Sequence, residues 1–117
     1  MNVEKQKFKV IFFKTLRDDE PVREYLQLLS DEDKSALIGL LHDLMEFGRL
    51  PYPHGRKMSG YKDLYEVRYK KHRILYGSFE CVCLLANAFS KKSQKTPIHE
   101  IELALRRVKT WQTAQKK

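Results

Sequence analysis

Arg68, Arg73, Lys91, Lys92 and His99, with Glu66 as the one acid among them, are the residues best suited to chemistry. Arg68 projects from the polar side of an alternating run, and Arg73 lies just past the next turn, where an antiparallel neighbour brings it alongside. Lys91 and Lys92 emerge where an apolar run ends, and His99 falls in the first turn of a helical segment. Such a set suits the scission of an RNA strand by its own 2′-hydroxyl, which attacks the adjacent phosphate. That reaction needs a base for the hydroxyl proton, positive charge on the phosphorane and an acid for the departing 5′-oxygen. Arginine supplies fixed, bidentate charge, while histidine or a lysine of lowered pKa moves the proton. The same residues also fit a solvated strand face, a solvent loop and a surface histidine. Spacing alone therefore reaches a nucleic-acid-binding domain and stops there.

The elements that position these groups are legible in outline. Phe8–Lys14 reads as a first strand. Asp18, Asp19 and Glu20 ahead of Pro21 predict a helix start, followed by an apolar stripe at Val22, Leu26 and Leu29. Ser30 with Asp33 forms a variant capping box that restarts the pattern through Leu37, Leu41 and Leu44, and Gly48 is a suitable stop. A helical hairpin or bent helix pair is expected. Leu50–Arg56, with two prolines and a glycine, is a loop. Arg56–Met58, Leu64–Lys70, His72–Phe79 and Cys81–Phe89 then read as a β-meander, with a tight turn near Ser78–Glu80. Along Leu64–Lys70, Tyr65, Val67 and Tyr69 share one face, opposite Glu66, Arg68 and Lys70. Cys81–Phe89 is apolar on both faces, which predicts a central strand. Thr96 as N-cap and Pro97 at the first helical position open a last helix with Ile98, Ile101, Leu105, Val108 and Trp111 on one face. This order predicts one α+β domain over residues 1–117.

Charge divides the chain. Residues 1–50 carry 8 Lys/Arg against 10 Asp/Glu, whereas residues 51–117 carry 15 against 5. The net charge of +8 therefore resides in the predicted meander and last helix, the electrostatic footprint expected for a polyanion. No glycine-rich phosphate loop, metal-ligand spacing or nucleophile triad is present, so no metal or cofactor is expected. No apolar run reaches the roughly 20 residues that span a bilayer, and the first ten residues lack a signal-peptide core. A cytoplasmic protein without membrane contact is expected, with Cys81 and Cys83 as reduced packing residues.

The runs PVREYL (21–26), LYEVR (64–68), HRILY (72–76) and FSKKSQKTP (89–97), followed by Glu100-Ile101, resemble the RelE/ParE superfamily of toxins. The likeness is greatest to its HigB-like, phage-associated branch. It implies a small curved antiparallel sheet with an N-terminal helical hairpin on one face and a C-terminal helix near the other. It also implies the toxin of a type II toxin–antitoxin pair, an endoribonuclease that cuts mRNA on the ribosome without metal. The implied partners are a helix-turn-helix antitoxin of HigA type, the ribosome with its mRNA, and operator DNA through the toxin–antitoxin complex alone. By position, Arg68 matches a residue at the scissile phosphate, Arg73 the arginine that stabilises the phosphorane, and Lys92 a basic residue after the central strand. His99 falls near the family's acid–base position. At Glu66 the RelE pattern has a lysine base, so three roles stay open for this residue: proton acceptor, orienter of Arg68, or neither. Lys57, Lys70, Lys71, Lys91 and Lys95 are the cations expected to hold RNA or ribosome. Two other readings of the same features stay open, a ParE-like DNA gyrase inhibitor and a non-catalytic domain that binds RNA or protein.

Overall fold

A computed structural model of the chain describes residues 7–92 and 95–115. Ser93 and Gln94 of the basic run lie outside the described residues, as do the first six residues. The elements are β1 (Lys9–Phe12), α1 (Pro21–Gln27), α2 (Asp31–Phe47), β2 (Gly55–Lys57), β3 (Leu64–Tyr69), β4 (His72–Phe79), β5 (Val82–Ser90) and α3 (Ile98–Gln115). The strands form one sheet in the order β1-β5-β4-β3-β2. Strands β2 to β5 make the expected antiparallel meander, and β1 adds a parallel neighbour to β5, so the sheet is mixed. The apolar strand β5 is internal, as its composition requires.

The helical hairpin follows its sequence signals. Pro21 occupies the first turn of α1, and Val22 and Leu26 bury one stripe. The Ser30 side chain accepts from the Asp33 backbone N–H at 3.2 Å, capping α2. Leu37, Leu41 and Leu44 are buried at helical spacing, each contributing roughly 2 kcal/mol of apolar burial. Gly48 ends α2 at φ 78°, with the Phe8 ring against its Cα where a side chain would stand. These helices cover one face of the sheet with Val67, Ile74, Tyr76, Cys83 and Leu85, and α3 covers the other with Leu64, Leu75, Leu84 and Phe89.

A bulge in β5 sets which side chains reach the α3 face. Leu75 pairs with Asn87 while Tyr76 pairs with Leu85, leaving Ala86 as the extra residue. Its carbonyl accepts from Arg107 Nη1 at 2.9 Å. The alternation slips by one there, so Phe89 joins the α3 face and Ala88 the hairpin face. Three local expectations need correction. Cys81 lies exposed in the β4–β5 turn, and only Cys83 is buried. Ile98 is largely exposed, because it opens α3 beyond the sheet, and Ala104 takes a core position instead. Finally, α3 begins one residue later than Thr96-Pro97 implied: the Pro97 carbonyl accepts from Ile101 N–H, and the Thr96 hydroxyl turns to Glu66.

A polar clasp joins the hairpin to the β3–β4 turn. Asp33 accepts from Lys70 Nζ and from His72 Nε2, both at 3.2 Å. A carboxylate only accepts, so His72 Nε2 donates to it, and the other ring nitrogen, Nδ1, shares a 2.7 Å hydrogen bond with the Tyr25 hydroxyl. The hydrogen bond from His72, then that from Lys70, holds the Asp33 pKa below its ordinary value of 3.8. Its stabilising contribution is therefore complete above that value and lost as pH falls through the lower folded-state value. Denaturant titrations of the wild type and Asp33→Asn from pH 6 to pH 2 should show a stability gap that closes at the acid end. A gap constant across that range would refute the clasp.

Candidate nucleic-acid interface

Two cross-strand lines on the α3 face carry the polar residues of the sheet. One runs Asn87–Leu75–Glu66–Arg56 across β5, β4, β3 and β2; the next runs Phe89–Arg73–Arg68. Neighbours in such a line stand one strand apart, about 4.8 Å. Register thus brings three arginines to one carboxylate. Arg56 Nη2 lies 3.3 Å and Arg68 Nε 3.6 Å from Glu66 Oε1, and Arg73 Nε lies 3.8 Å from Oε2. The Thr96 hydroxyl donates to Oε2 at 3.4 Å, placing the approach to α3 beside the cluster.

Burial is graded across this set. The Glu66 side chain has no solvent exposure, whereas Arg73, Arg68 and Arg56 are 10%, 23% and 43% exposed. Glu66 thus lies behind the arginines and cannot touch a ligand that they meet. Arg73 Nη1 donates to the Lys70 and His72 carbonyls at 2.7 and 2.9 Å, which fixes the guanidinium over the end of β4. Burial lowers the Arg73 pKa, and the charges of Arg68 and Arg56 add to that against the pull of Glu66. Three guanidinium groups around one carboxylate leave an excess of two positive charges, preorganised and partly desolvated. That is a site for an anion.

Lys91 joins the cluster. Its backbone N–H donates to the Lys71 carbonyl at 2.7 Å, tying the end of β5 to the β3–β4 turn. Its pKa is lowered, first by desolvation and then by the charge of Arg73. Of the residues singled out in the sequence, Glu66, Arg68, Arg73 and Lys91 therefore come together. Lys92 follows, exposed, with Lys71 exposed across the turn and Lys95 exposed before α3. Lys57 turns away, donating to the Tyr61 carbonyl at 2.9 Å on the Tyr65 side of β2. Lys70 reaches the hairpin face through Asp33. The His99 side chain is 79% exposed and lies 3.5 Å from Glu100, with no contact to Glu66 or the three arginines among the described ion pairs. Arg56 and Thr96 escaped the sequence reading. The signal for Arg56 was its antiparallel register with Glu66, which depends on the length of the Ser59–Asp63 turn.

Among the described residues no three His, Cys, Asp or Glu side chains gather as metal ligands. No helix among them is long and apolar enough to cross a membrane.

The five-stranded sheet with a helical hairpin on one face and a terminal helix on the other makes a small α+β domain of RelE-like fold. A solved structure of the E. coli toxin RelE, a mutant in the free state, superposes with a TM-score of 0.61 at 17% identity, covering 87% of this chain and 98% of that one. The model of the family described as phage derived protein Gp49-like (DUF891) matches residues 24–109, and the chain belongs to that family. Both findings bear out the resemblance of the motifs to the RelE superfamily of toxins. No curated protein matches the chain.

Proposed function

We propose that this protein is the toxin of a toxin–antitoxin pair and acts in the cytoplasm as a ribosome-dependent endoribonuclease without a metal cofactor. The observation that carries this reading is the cross-strand pair Arg68–Arg73, fixed against a buried carboxylate with its excess charge facing outward. In this mechanism the two guanidinium groups hold the scissile phosphate and neutralise the phosphorane formed by 2′-oxygen attack. Lys91, with its lowered pKa, gives a proton to the departing 5′-oxygen. Glu66 orients the arginines instead of taking a proton. The antitoxin, a helix-turn-helix protein in this reading, covers the basic face with acidic and apolar segments.

Incubating the protein with translating ribosomes and mapping mRNA ends tests the reading. New 5′-hydroxyl ends paired with 2′,3′-cyclic phosphates are expected, since the attacking oxygen belongs to the RNA itself. Intact mRNA would sink it, and cleaved plasmid trapped with DNA gyrase would put a gyrase inhibitor in its place. Lys91→Arg keeps the charge and removes the readily surrendered proton. It should slow cleavage roughly a hundredfold to ten-thousandfold, the scale of general acid catalysis. In the wild type, rate should fall as pH rises through the Lys91 pKa, below the ordinary lysine value of 10.5, and Lys91→Arg should lack that limb. An unchanged rate and profile in Lys91→Arg would remove Lys91 from the chemistry.

A further inference from the structure

Among the described residues around the arginines no side chain named so far is placed to accept a proton. Glu66 is sealed behind its arginines, Lys57 bonds elsewhere, and His99 stands with Glu100. The segment before β2 supplies one. The Arg68 backbone N–H donates to the His54 carbonyl at 2.8 Å, so His54 extends the line Phe89–Arg73–Arg68 by one position. The imidazole turns back onto the same residue, with Nδ1 3.1 Å from the Arg68 carbonyl oxygen. A carbonyl only accepts, so Nδ1 carries a proton, and in the neutral ring Nε2 keeps its lone pair. Among the described residues Nε2 has no hydrogen-bond partner, and the side chain is exposed.

The loop is built to hold that ring still. The Pro51 carbonyl accepts from both His54 N–H and Gly55 N–H at 3.0 Å. Gly55 sits so close to Leu50 that a Cβ there would fall on the Leu50 carbonyl and within 2.6 Å of its Cβ. Tyr52, two residues earlier and 74% exposed, places its ring 5.7 Å from the Arg68 guanidinium. An exposed aromatic face beside a phosphate-binding arginine is a surface on which a nucleobase can stack. The base would then bring its own ribose to the neighbouring imidazole.

We infer that His54 is the general base of this site, resting on the endoribonuclease reading above: its Nε2 takes the proton from the 2′-hydroxyl of the nucleotide held by Arg68. As that proton leaves, the 2′-oxygen bonds to phosphorus, and the phosphorane charge faces Arg68 and Arg73. The bond from phosphorus to the 5′-oxygen then breaks, and that oxygen takes a proton from Lys91. The products are a 2′,3′-cyclic phosphate and a 5′-hydroxyl. His54 ends protonated and Lys91 neutral, and water restores both.

His54→Asn separates the base from the hydrogen bond, because an asparagine amide can occupy the place of Nδ1 but cannot titrate. Single-turnover mRNA cleavage on programmed ribosomes, followed across pH, should slow at least a hundredfold in His54→Asn, within the range for general base catalysis. His54→Asn should still bind ribosomes within threefold of the wild type and unfold at the same temperature. Added imidazole should partly restore cleavage by His54→Gly. His54→Asn that cleaves within threefold of the wild type would overturn the assignment, while a loss in Arg73→Lys in the same assay would leave the endoribonuclease reading standing. A wild type that cuts nothing would overturn both.

Discussion

Arg73→Lys should reduce mRNA cleavage by a hundredfold to a thousandfold while leaving the protein folded. Lysine keeps the positive charge but presents a rotating point donor in place of a planar fork. In the native site Nη1 is already committed to the Lys70 and His72 carbonyls, so the rest of the guanidinium is aimed before any ligand arrives. In the proposed mechanism that orientation serves the phosphorane, and removing one preorganised donor from an oxyanion site typically costs this much. Under the proposed function the loss should appear in the rate of the chemical step more than in ribosome affinity, to which the exposed Lys71, Lys92 and Lys95 would also contribute. Arg73→Ala should lose at least as much. Single-turnover rates on programmed ribosomes, with thermal unfolding as the fold control, decide the matter. Equal rates for Arg73→Lys and the wild type would mean that charge alone suffices there, and the fixed-fork mechanism would be abandoned.

The sequence carried the faces of the strands better than their neighbours. Alternation in LYEVR separated Glu66 and Arg68 from Tyr65 and Val67, because a two-residue period is local. The cap at Ser30 was equally local, and it formed. The second partner of that capping box was not legible: the Asp33 carboxylate leaves its own helix for Lys70 and His72, far along the chain. The parallel pairing of β1 with β5 is a long-range choice of the same kind. The bulge at Ala86 also left no composition signal, since the residues around it are apolar on both faces. Of the candidate site, the residues joined by a hairpin register were recovered, Arg68 with Arg73 above all. Those contributed by loops were not: His54 and Tyr52 lie in a segment whose prolines and glycine announce a turn without saying what stands beside it.

Glu66→Gln should be the most destabilising single change at the site, by about 3 kcal/mol, because it leaves arginines around a desolvated position with no counter-charge. For a domain of this size that is a fall in melting temperature of roughly 10 °C. Three buried atoms sharpen the expectation. Glu66 Oε1 makes no hydrogen bond among the described residues, and neither do Arg68 Nε and Arg73 Nε, so charge attraction more than directed bonding holds the group together. An amide of the same shape preserves the packing and removes that attraction. Arg56→Gln, which takes away the most exposed of the three cations, should then restore part of the lost stability in the double variant, since it relieves repulsion that the carboxylate no longer offsets. A polyanion should stabilise Glu66→Gln more than it stabilises the wild type, because the bound phosphates replace the missing charge. These outcomes differ from those of a catalytic base, whose replacement by glutamine would abolish cleavage in a protein as stable as the wild type. A Glu66→Gln variant that melts with the wild type and gains nothing from Arg56→Gln would show that the arginines need no anchor, and that their excess charge is held by something other than this acid.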